Sequence, residues 1–292
     1  MGLTDPLLVA MAPYAALLLG LVVGSFLNVV ILRLPRHMRA ELAEACAELR
    51  SEQAEPVANR LFGLDYLIHP PSTCPNCGHA IRAWENIPVL SYLLLRGRCS
   101  NCHAPIGLRY PVVEAVTGFV SLLVVWHFGT TVAAAAALIL VWALIALTVI
   151  DLDEQLLPDQ LTLPMVWLGL IVNVNGTFTD LTSAVIGAAA GYLTLWFVFQ
   201  VFRLFTGREG MGYGDFKLLA VFGAFLGWQL LPQVILLSSL LGAVVGVALI
   251  VLRGRDRQIP IPFGPYLAVA GLVALLWGDA INRSYLQLAG FG

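Results

Sequence analysis

The chain has 292 residues, of which 59% are hydrophobic and only 12% are charged, and its formal net charge at pH 7 is −2. Soluble globular domains carry about 25% charged residues. The composition therefore excludes an ordinary soluble protein and predicts one that crosses a membrane several times. The sequence has no basic tract and no aromatic platform of the kind that binds DNA or RNA, which argues against nucleic acid as a partner.

Eight segments are apolar over most of the roughly 17 to 25 residues that a membrane-spanning helix needs. The sequence therefore predicts an all-α polytopic membrane protein with about eight transmembrane helices, of which the fourth and the sixth are the weakest predictions. The predicted helices cover residues 11–32, 111–128, 131–150, 160–174, 182–203, 216–231, 233–252 and 263–281.

Lys and Arg concentrate between the first two predicted helices and in the loops after the fifth and the seventh. Because short cytoplasmic loops retain positive charge, we expect residues 33–110 to form a small cytoplasmic domain and both termini to face away from the cytoplasm. The loops at 151–159 and 206–216 then also face the cytoplasm. The predicted parts are an N-terminal transmembrane helix (1–32), this cytoplasmic domain, and a membrane-embedded domain (111–292).

Two CxxC pairs lie in the predicted cytoplasmic domain. Cys74 and Cys77 form the first pair, and Cys99 and Cys102 form the second. This spacing is typical of a zinc ion held by four thiolates, which leaves no open coordination position and so favours a structural metal. The reducing cytoplasm favours a metal over disulfides. A redox pair, or cysteines without a metal, stay as alternatives.

Other residues of this segment have simpler interpretations. His79 and His103 follow the two pairs and could serve as substitute ligands. The simpler interpretation is that both are surface histidines. The stretch from Arg39 to Arg50 is rich in Ala, Glu and Leu and predicts a soluble helix. Cys46 lies within it and has no second cysteine at metal-binding spacing. Residues 37–60 match no functional motif.

Two aspartates stand where an apolar segment meets a short polar loop. Asp151 opens the stretch that runs to Asp159, and Asp215 closes Gly212-Tyr213-Gly214-Asp215. Placing an ionisable side chain beside lipid costs free energy, so such a residue usually has a functional role. Two carboxylates that share one proton can supply the base and the acid of an aspartic protease. The pair therefore predicts such a site at the membrane surface.

Several alternatives stay open for these acids. Asp151 and Asp215 could instead be ordinary loop acids that flank helices. Asp153, Glu154 and Asp159 compete with Asp151 for the role, and they could equally hold a cation. Glu114 and Lys217 could tune the carboxylates or bind substrate, and the alternative for each is that it anchors a helix end. Motifs of zinc proteases (HExxH) and serine hydrolases (GxSxG) are absent from the sequence.

These motifs, in this order, are similar to those of the bacterial type IV prepilin peptidases, which are also called leader peptidase/N-methyltransferases. The resemblance covers nearly the whole chain. Besides the two CxxC pairs and the Asp151 segment, it rests on Gly24-Ser25-Phe26-Leu27-Asn28, Asn86-Ile87-Pro88, Gly97-Arg98-Cys99, Arg109-Tyr110-Pro111-Val112-Val113-Glu114 and Gly212-Tyr213-Gly214-Asp215-Phe216-Lys217.

The resemblance implies an activity and a site. Asp151 and Asp215 would be the catalytic pair, and the four cysteines would hold zinc. The substrates would be type IV prepilins and type II secretion pseudopilins, cleaved on the cytoplasmic side of the bacterial inner membrane and then N-methylated with S-adenosylmethionine. Gly97 is the candidate contact for that cofactor. The competing hypotheses are a non-enzymatic membrane scaffold or ion-coupled transporter with a zinc docking domain, and a protease that cuts within transmembrane helices.

Overall fold

A computed structural model describes residues 6–50, 65–68, 71–208, 210–253 and 261–288. These residues form ten α-helices and two short 3-10 helices, and they contain no β-strand beyond two isolated bridges. The α-helices are α1 (Pro6–Arg50), α2 (Asp65–Ile68), α3 (Leu90–Leu94), α4 (Arg109–Phe128), α5 (Val132–Glu154), α6 (Asp159–Asn173), α7 (Leu181–Thr206), α8 (Tyr213–Leu226), α9 (Leu231–Arg253) and α10 (Gly264–Leu288).

Each of the eight predicted apolar segments is helical, and the all-α membrane fold is confirmed. Among the described residues, six helices are long and apolar enough to cross a membrane, namely α1, α4, α5, α7, α9 and α10. The other two, α6 and α8, have 15 and 14 residues. At 1.5 Å per residue they are about 21 to 23 Å long, which is less than the roughly 30 Å of a bilayer core. They correspond to the two weakest predictions.

Helix α1 is much longer than its predicted span. It has 45 residues and continues through the predicted soluble helix at Arg39–Arg50, with Pro35 inside it. The transmembrane and polar stretches form one continuous helix, and Pro35 does not end it. The residues after it include several strong helix formers, which favour its continuation. Residues 51–60 of the segment without a motif lie outside the described residues.

The chain divides into two compact units, one comprising Met11–Leu123 and the other Met1–Ala10 with Val124–Gly292. In the first unit, α1 and α4 approach closely through small side chains. A Cβ on Gly24 would lie 2.7 Å from Cα of Glu114, so the two backbones touch at this point. Close helix contact through small residues is the usual way in which membrane helices associate.

In the second unit, α8 lies at the centre and is packed by α6, α7 and α10. Eleven of its 14 residues are buried. Glycines allow α7 to approach it: a Cβ on Gly191 would lie 2.6 Å from the carbonyl oxygen of Leu219, and Gly187 contacts Gly223 backbone to backbone. A short helix that is apolar all round is stable here because its neighbours, rather than water, cover it.

The turn between α5 and α6 fixes the position of Asp151. Helix α5 ends at Glu154, followed by Gln155 in the left-handed region with φ 52° and, three residues later, by Pro158 at the N-cap of α6. Proline pre-sets the backbone for the start of a helix. Asp151 therefore lies in the last turn of α5, at the mouth of this connection.

Candidate aspartate site and cysteine cluster

Burial distinguishes Asp151 from the three acids that compete with it. Its exposed fraction is 5%, whereas Asp153, Glu154 and Asp159 are all exposed. Its side chain points into the second unit, because it lies on the same face of α5 as the buried residues Leu147 and Ile150. Spacing could not separate these four acids in the sequence, and the structure places only Asp151 in the interior.

Asp215 is the third residue of α8 and is 7% exposed. The charge of Asp151 acts on its carboxyl group, so the fold brings two buried acids that are 64 positions apart into electrostatic range of each other. Like charges so placed in the interior do not both ionise readily. The arrangement suits a pair that holds one proton between two carboxyls.

Leu157 and Gly264 complete the surroundings of the aspartates. The backbone N–H of Gly264, the first residue of α10, donates a 3.0 Å hydrogen bond to Oδ2 of Asp151. Leu157 is 7% exposed and packs directly on Gly214, where a Cβ would lie 2.6 Å from Cβ of Leu157. Neither residue was predicted from the sequence, although the position of Gly264 between Pro262 and Pro265, on the same predicted membrane face as the aspartates, was a signal.

Lys217 pairs with Asp159 rather than with the buried aspartates. Its Nζ lies 2.6 Å from Oδ1 of Asp159, and the two side chains are 26% and 52% exposed. The ion pair joins the N-terminal parts of α8 and α6. Of the two interpretations of Lys217, the structure favours helix-end anchoring.

Glu114 also has a structural contact. It is 8% exposed, and its Oε2 accepts a 2.7 Å hydrogen bond from the backbone N–H of Val89. Val89 has φ 58°, which is rare for a β-branched residue. Glu114 therefore ties the segment before α3 to α4 within the first unit.

The four predicted metal ligands lie together. The sulfur atoms of Cys74, Cys77, Cys99 and Cys102 are all within 4.8 Å of one another, and those of Cys74 and Cys102 are 3.8 Å apart. Tetrahedral zinc with bonds of about 2.3 Å places its sulfur ligands about 3.8 Å apart, whereas a disulfide needs about 2.05 Å. The donor set therefore fits a structural zinc ion.

The two CxxC turns have the same backbone structure. The N–H of Cys74 donates to the carbonyl of His79 and that of Cys99 donates to the carbonyl of Ala104, and both turns end in the left-handed region, at Gly78 and His103. Each turn also donates across the cluster: the side-chain amide of Asn76 contacts Sγ of Cys102, and that of Asn101 contacts Sγ of Cys77.

Hydrogen bonds prepare one of these thiols for metal. The pKa of Cys102 is lowered to about 6, first by the backbone N–H of Ala104 and then by the side chain of Asn76. The thiolate is the form that binds zinc. The lowered pKa makes this form accessible near neutral pH.

Both histidines lie outside the four-sulfur cluster. His79 Nε2 lies 3.3 Å from Oε2 of Glu85, whose pKa is lowered first by the Ser100 hydroxyl and then by the backbone N–H of Arg82. His103 occupies the left-handed turn position with φ 57°.

Cys46 is exposed on α1 and is not part of the four-sulfur cluster.

Gly97 has a conformational reason for being glycine. Its φ is 67°, and a Cβ there would lie 2.7 Å from the hydroxyl oxygen of Tyr92. Its carbonyl accepts a 2.7 Å hydrogen bond from Ile106 N–H. These contacts explain the residue without a cofactor, and its role in cofactor binding stays a prediction.

Fold and site together define a polytopic α-helical membrane protein that has two buried aspartates at helix ends and a four-cysteine cluster able to hold a metal ion. Residues 18–128 match the bacterial peptidase A24 N-terminal domain, and residues 138–247 match the type IV leader peptidase family. The chain belongs to this type IV leader peptidase family, as its sequence resemblance predicted.

Similar proteins from several bacteria carry one name, prepilin leader peptidase/N-methyltransferase. That of Pseudomonas aeruginosa is 57% identical over 279 residues, which cover 94% of this chain and 93% of that protein. Those of Aeromonas hydrophila and Legionella pneumophila are 55% and 46% identical, and each match covers 92% of both chains. No solved structure matches the chain.

Proposed function

We propose that Asp151 and Asp215 are the catalytic pair with which this membrane enzyme cleaves the leader peptide from type IV prepilins and from type II secretion pseudopilins. The observation that carries the proposal is the burial of these two carboxyls within electrostatic range of each other, inside the region that matches the peptidase family. The nearby acids Asp153, Glu154 and Asp159 are exposed.

The chemistry follows from one proton shared by two carboxyls. The ionised carboxylate takes a proton from a water molecule, whose oxygen attacks the carbonyl carbon of the scissile peptide bond. That proton then passes to the leaving nitrogen as the C–N bond breaks. The protonated carboxyl donates a hydrogen bond to the carbonyl oxygen and stabilises the charge that develops there. Burial strengthens both interactions because little bulk water screens them. Either aspartate can take either role in this scheme.

The substrate is suited to a site at a helix end. A prepilin carries a short polar leader before an apolar helix, so that helix can stay in the bilayer while the leader reaches Asp151 and Asp215. We infer an inner-membrane location with the aspartates on the cytoplasmic side. The distribution of Lys and Arg supports this orientation.

The relatives' shared name supports a second reaction, methylation of the amino terminus that cleavage exposes. S-adenosylmethionine supplies the methyl group in this reaction. We assign its binding to the cytoplasmic segment 33–110, with Gly97 as the candidate contact, and assign zinc to the four cysteines, which hold that segment folded. The membrane-embedded part, 111–292, carries the proteolysis.

Mass spectrometry of a prepilin peptide tests the proposal. The peptide is incubated with the detergent-purified protein and S-adenosylmethionine, in parallel with Asp151→Asn, Asp215→Asn and the exposed control Asp153→Asn. We expect a product that lacks the leader and carries one added methyl group, no cleavage with either buried-site variant, and normal cleavage with the control. Cleavage retained by Asp215→Asn would refute the catalytic pair. An intact peptide with folded, zinc-loaded wild type would favour a scaffold or transporter.

A further inference from the structure

The first residue of α10 contacts the aspartate site through its backbone. Gly264 N–H donates to Oδ2 of Asp151 over 3.0 Å, and the bond is buried. The first N–H groups of a helix have no partner within the helix and commonly bind anions. A carboxylate is such an anion, so the start of α10 is a suitable donor for Asp151.

The contact requires a residue without a side chain. A Cβ on Gly264 would lie 2.6 Å from Oδ2 of Asp151, 3.2 Å from its Cγ and 3.3 Å from Cδ2 of Leu157. Leu157 has little room to withdraw, because its own Cβ already packs on Gly214. A methyl group at position 264 must therefore displace the Asp151 carboxylate or move α10 away from it.

We propose that Gly264 is a positioning residue of the aspartate site, holding the carboxylate of Asp151 in place through its backbone N–H. This adds α10 to the catalytic arrangement, although the family match covers residues 138–247 and ends before this helix. The effect on catalysis rests on the proposed function, but the contact itself does not. A stability measurement can therefore test the contact separately from the activity.

The experiment combines kinetics with a double-mutant cycle. Gly264→Ala is made in the wild-type chain and in the Asp151→Ala chain, and the melting temperature of each protein is measured in detergent with zinc present. The matched control is Gly246→Ala on α9, a buried glycine where a Cβ would make an ordinary 3.4 Å contact with Ile261. Cleavage rates are measured for the variants that retain Asp151.

We expect Gly264→Ala to lower kcat by about 100-fold, as a misplacement of about 1 Å does, with KM changed less than twofold. We also expect it to lower the melting temperature in the wild-type chain and to lower it by less than half as much in the Asp151→Ala chain, because the methyl group then meets no carboxylate. The control should change neither kcat nor melting temperature appreciably.

Other outcomes overturn the proposal in recognisable ways. Normal kcat in Gly264→Ala, or an equal loss of stability in both backgrounds, would show that Gly264 does not act through Asp151. Gly264→Ala could prevent folding of the wild-type chain. In that case, a folded Gly264→Ala/Asp151→Ala double variant supports the contact, and a double variant that also fails to fold refutes it. If wild type cleaves no prepilin, the proposed function fails while the stability cycle still decides the contact.

Discussion

Asn173, the last residue of α6, donates a 2.9 Å hydrogen bond from Nδ2 to the carbonyl oxygen of Ala224, near the end of α8 that is opposite to Asp215. The side chain is fully buried and makes three further hydrogen bonds. They are donated to Phe225 O and accepted from Phe178 N and Thr179 N. With the Lys217–Asp159 ion pair at the other end, α6 and α8 are joined at both of their ends.

Asn173→Ala should therefore destabilise the protein strongly. The change leaves buried backbone groups without partners, which costs about 1 to 3 kcal/mol for each such group. We expect a clear fall in the melting temperature in detergent. Asn175→Ala is the matched control, since Asn175 lies two residues away and is exposed. Equal melting temperatures for the two variants would contradict the anchoring role of Asn173.

Loss of one of the four proposed zinc ligands should affect the cysteine segment more than proteolysis. We expect Cys99→Ser to lower the bound zinc, measured by elemental mass spectrometry, from one ion per chain to well below one, and to lower the thermal stability, because structural zinc contributes directly to folding. Prepilin cleavage should fall less than methylation.

Cys46→Ser is the control for this prediction, because Cys46 is exposed and lies outside the four-sulfur cluster. It should leave the zinc content unchanged. Equal and complete loss of cleavage in Cys99→Ser, with the membrane part still folded, would show that the zinc segment is required for proteolysis.

The equivalence of Gly78 and His103 in the two CxxC turns gives a third prediction. Gly78 has φ 70° and no atom within 4 Å of an added Cβ, so Gly78→Ala changes backbone strain without a steric clash. A left-handed conformation costs a non-glycine residue about 1 to 2 kcal/mol. We expect zinc affinity, measured by competition with a chromophoric chelator, to fall roughly fivefold or more.

Gly107→Ala is the control here, because Gly107 does not have a positive φ and a Cβ would lie 4.0 Å from the nearest atom. It should bind zinc as the wild type does. An unchanged affinity in Gly78→Ala would mean that the turn tolerates strain at this position, as the second turn does with His103.

Much of the fold was predictable because bilayer thickness constrains helix length so strongly. The third predicted span, 131–150, and the seventh, 233–252, each lie within a few residues of α5 and α9. The sixth predicted span, 216–231, extended too far. Helix α8 ends at Leu226, because the next residue, Gly227, has a φ of 79° that breaks the helix. Hydropathy carries no signal for such a backbone change, since the residues on both sides are apolar.

The candidate site was predictable in its acids and cysteines but not in its supports. CxxC spacing is local, so it predicts a shared site directly. The contact between Gly264 and Asp151 spans 113 positions, and that between Asn173 and Ala224 spans 51. Both contacts depend on how the helices pack. Almost every residue type has the same backbone N–H and carbonyl, so the sequence does not show which of these groups makes a contact.

The close approach of α7 to α8 gives a final prediction about Asp215. A Cβ on Gly191 would lie 2.6 Å from the carbonyl oxygen of Leu219 and 3.0 Å from the N–H nitrogen of Ala220. Gly191→Val must therefore push α8 away from α7. Overpacking of this kind costs about 1 to 3 kcal/mol, and it displaces the helix that carries Asp215.

We expect Gly191→Val to lower both the melting temperature and kcat, the latter by at least about tenfold because catalysis is sensitive to small displacements of a catalytic group. Ala189→Val on the exposed face of α7 adds similar bulk without meeting α8 and should change neither quantity appreciably. Loss of stability with normal kcat would show that α8 keeps Asp215 in place when α7 moves. In that case the contacts at its two ends, Asn173 and Lys217, rather than its packing on α7, would fix the position of the aspartate.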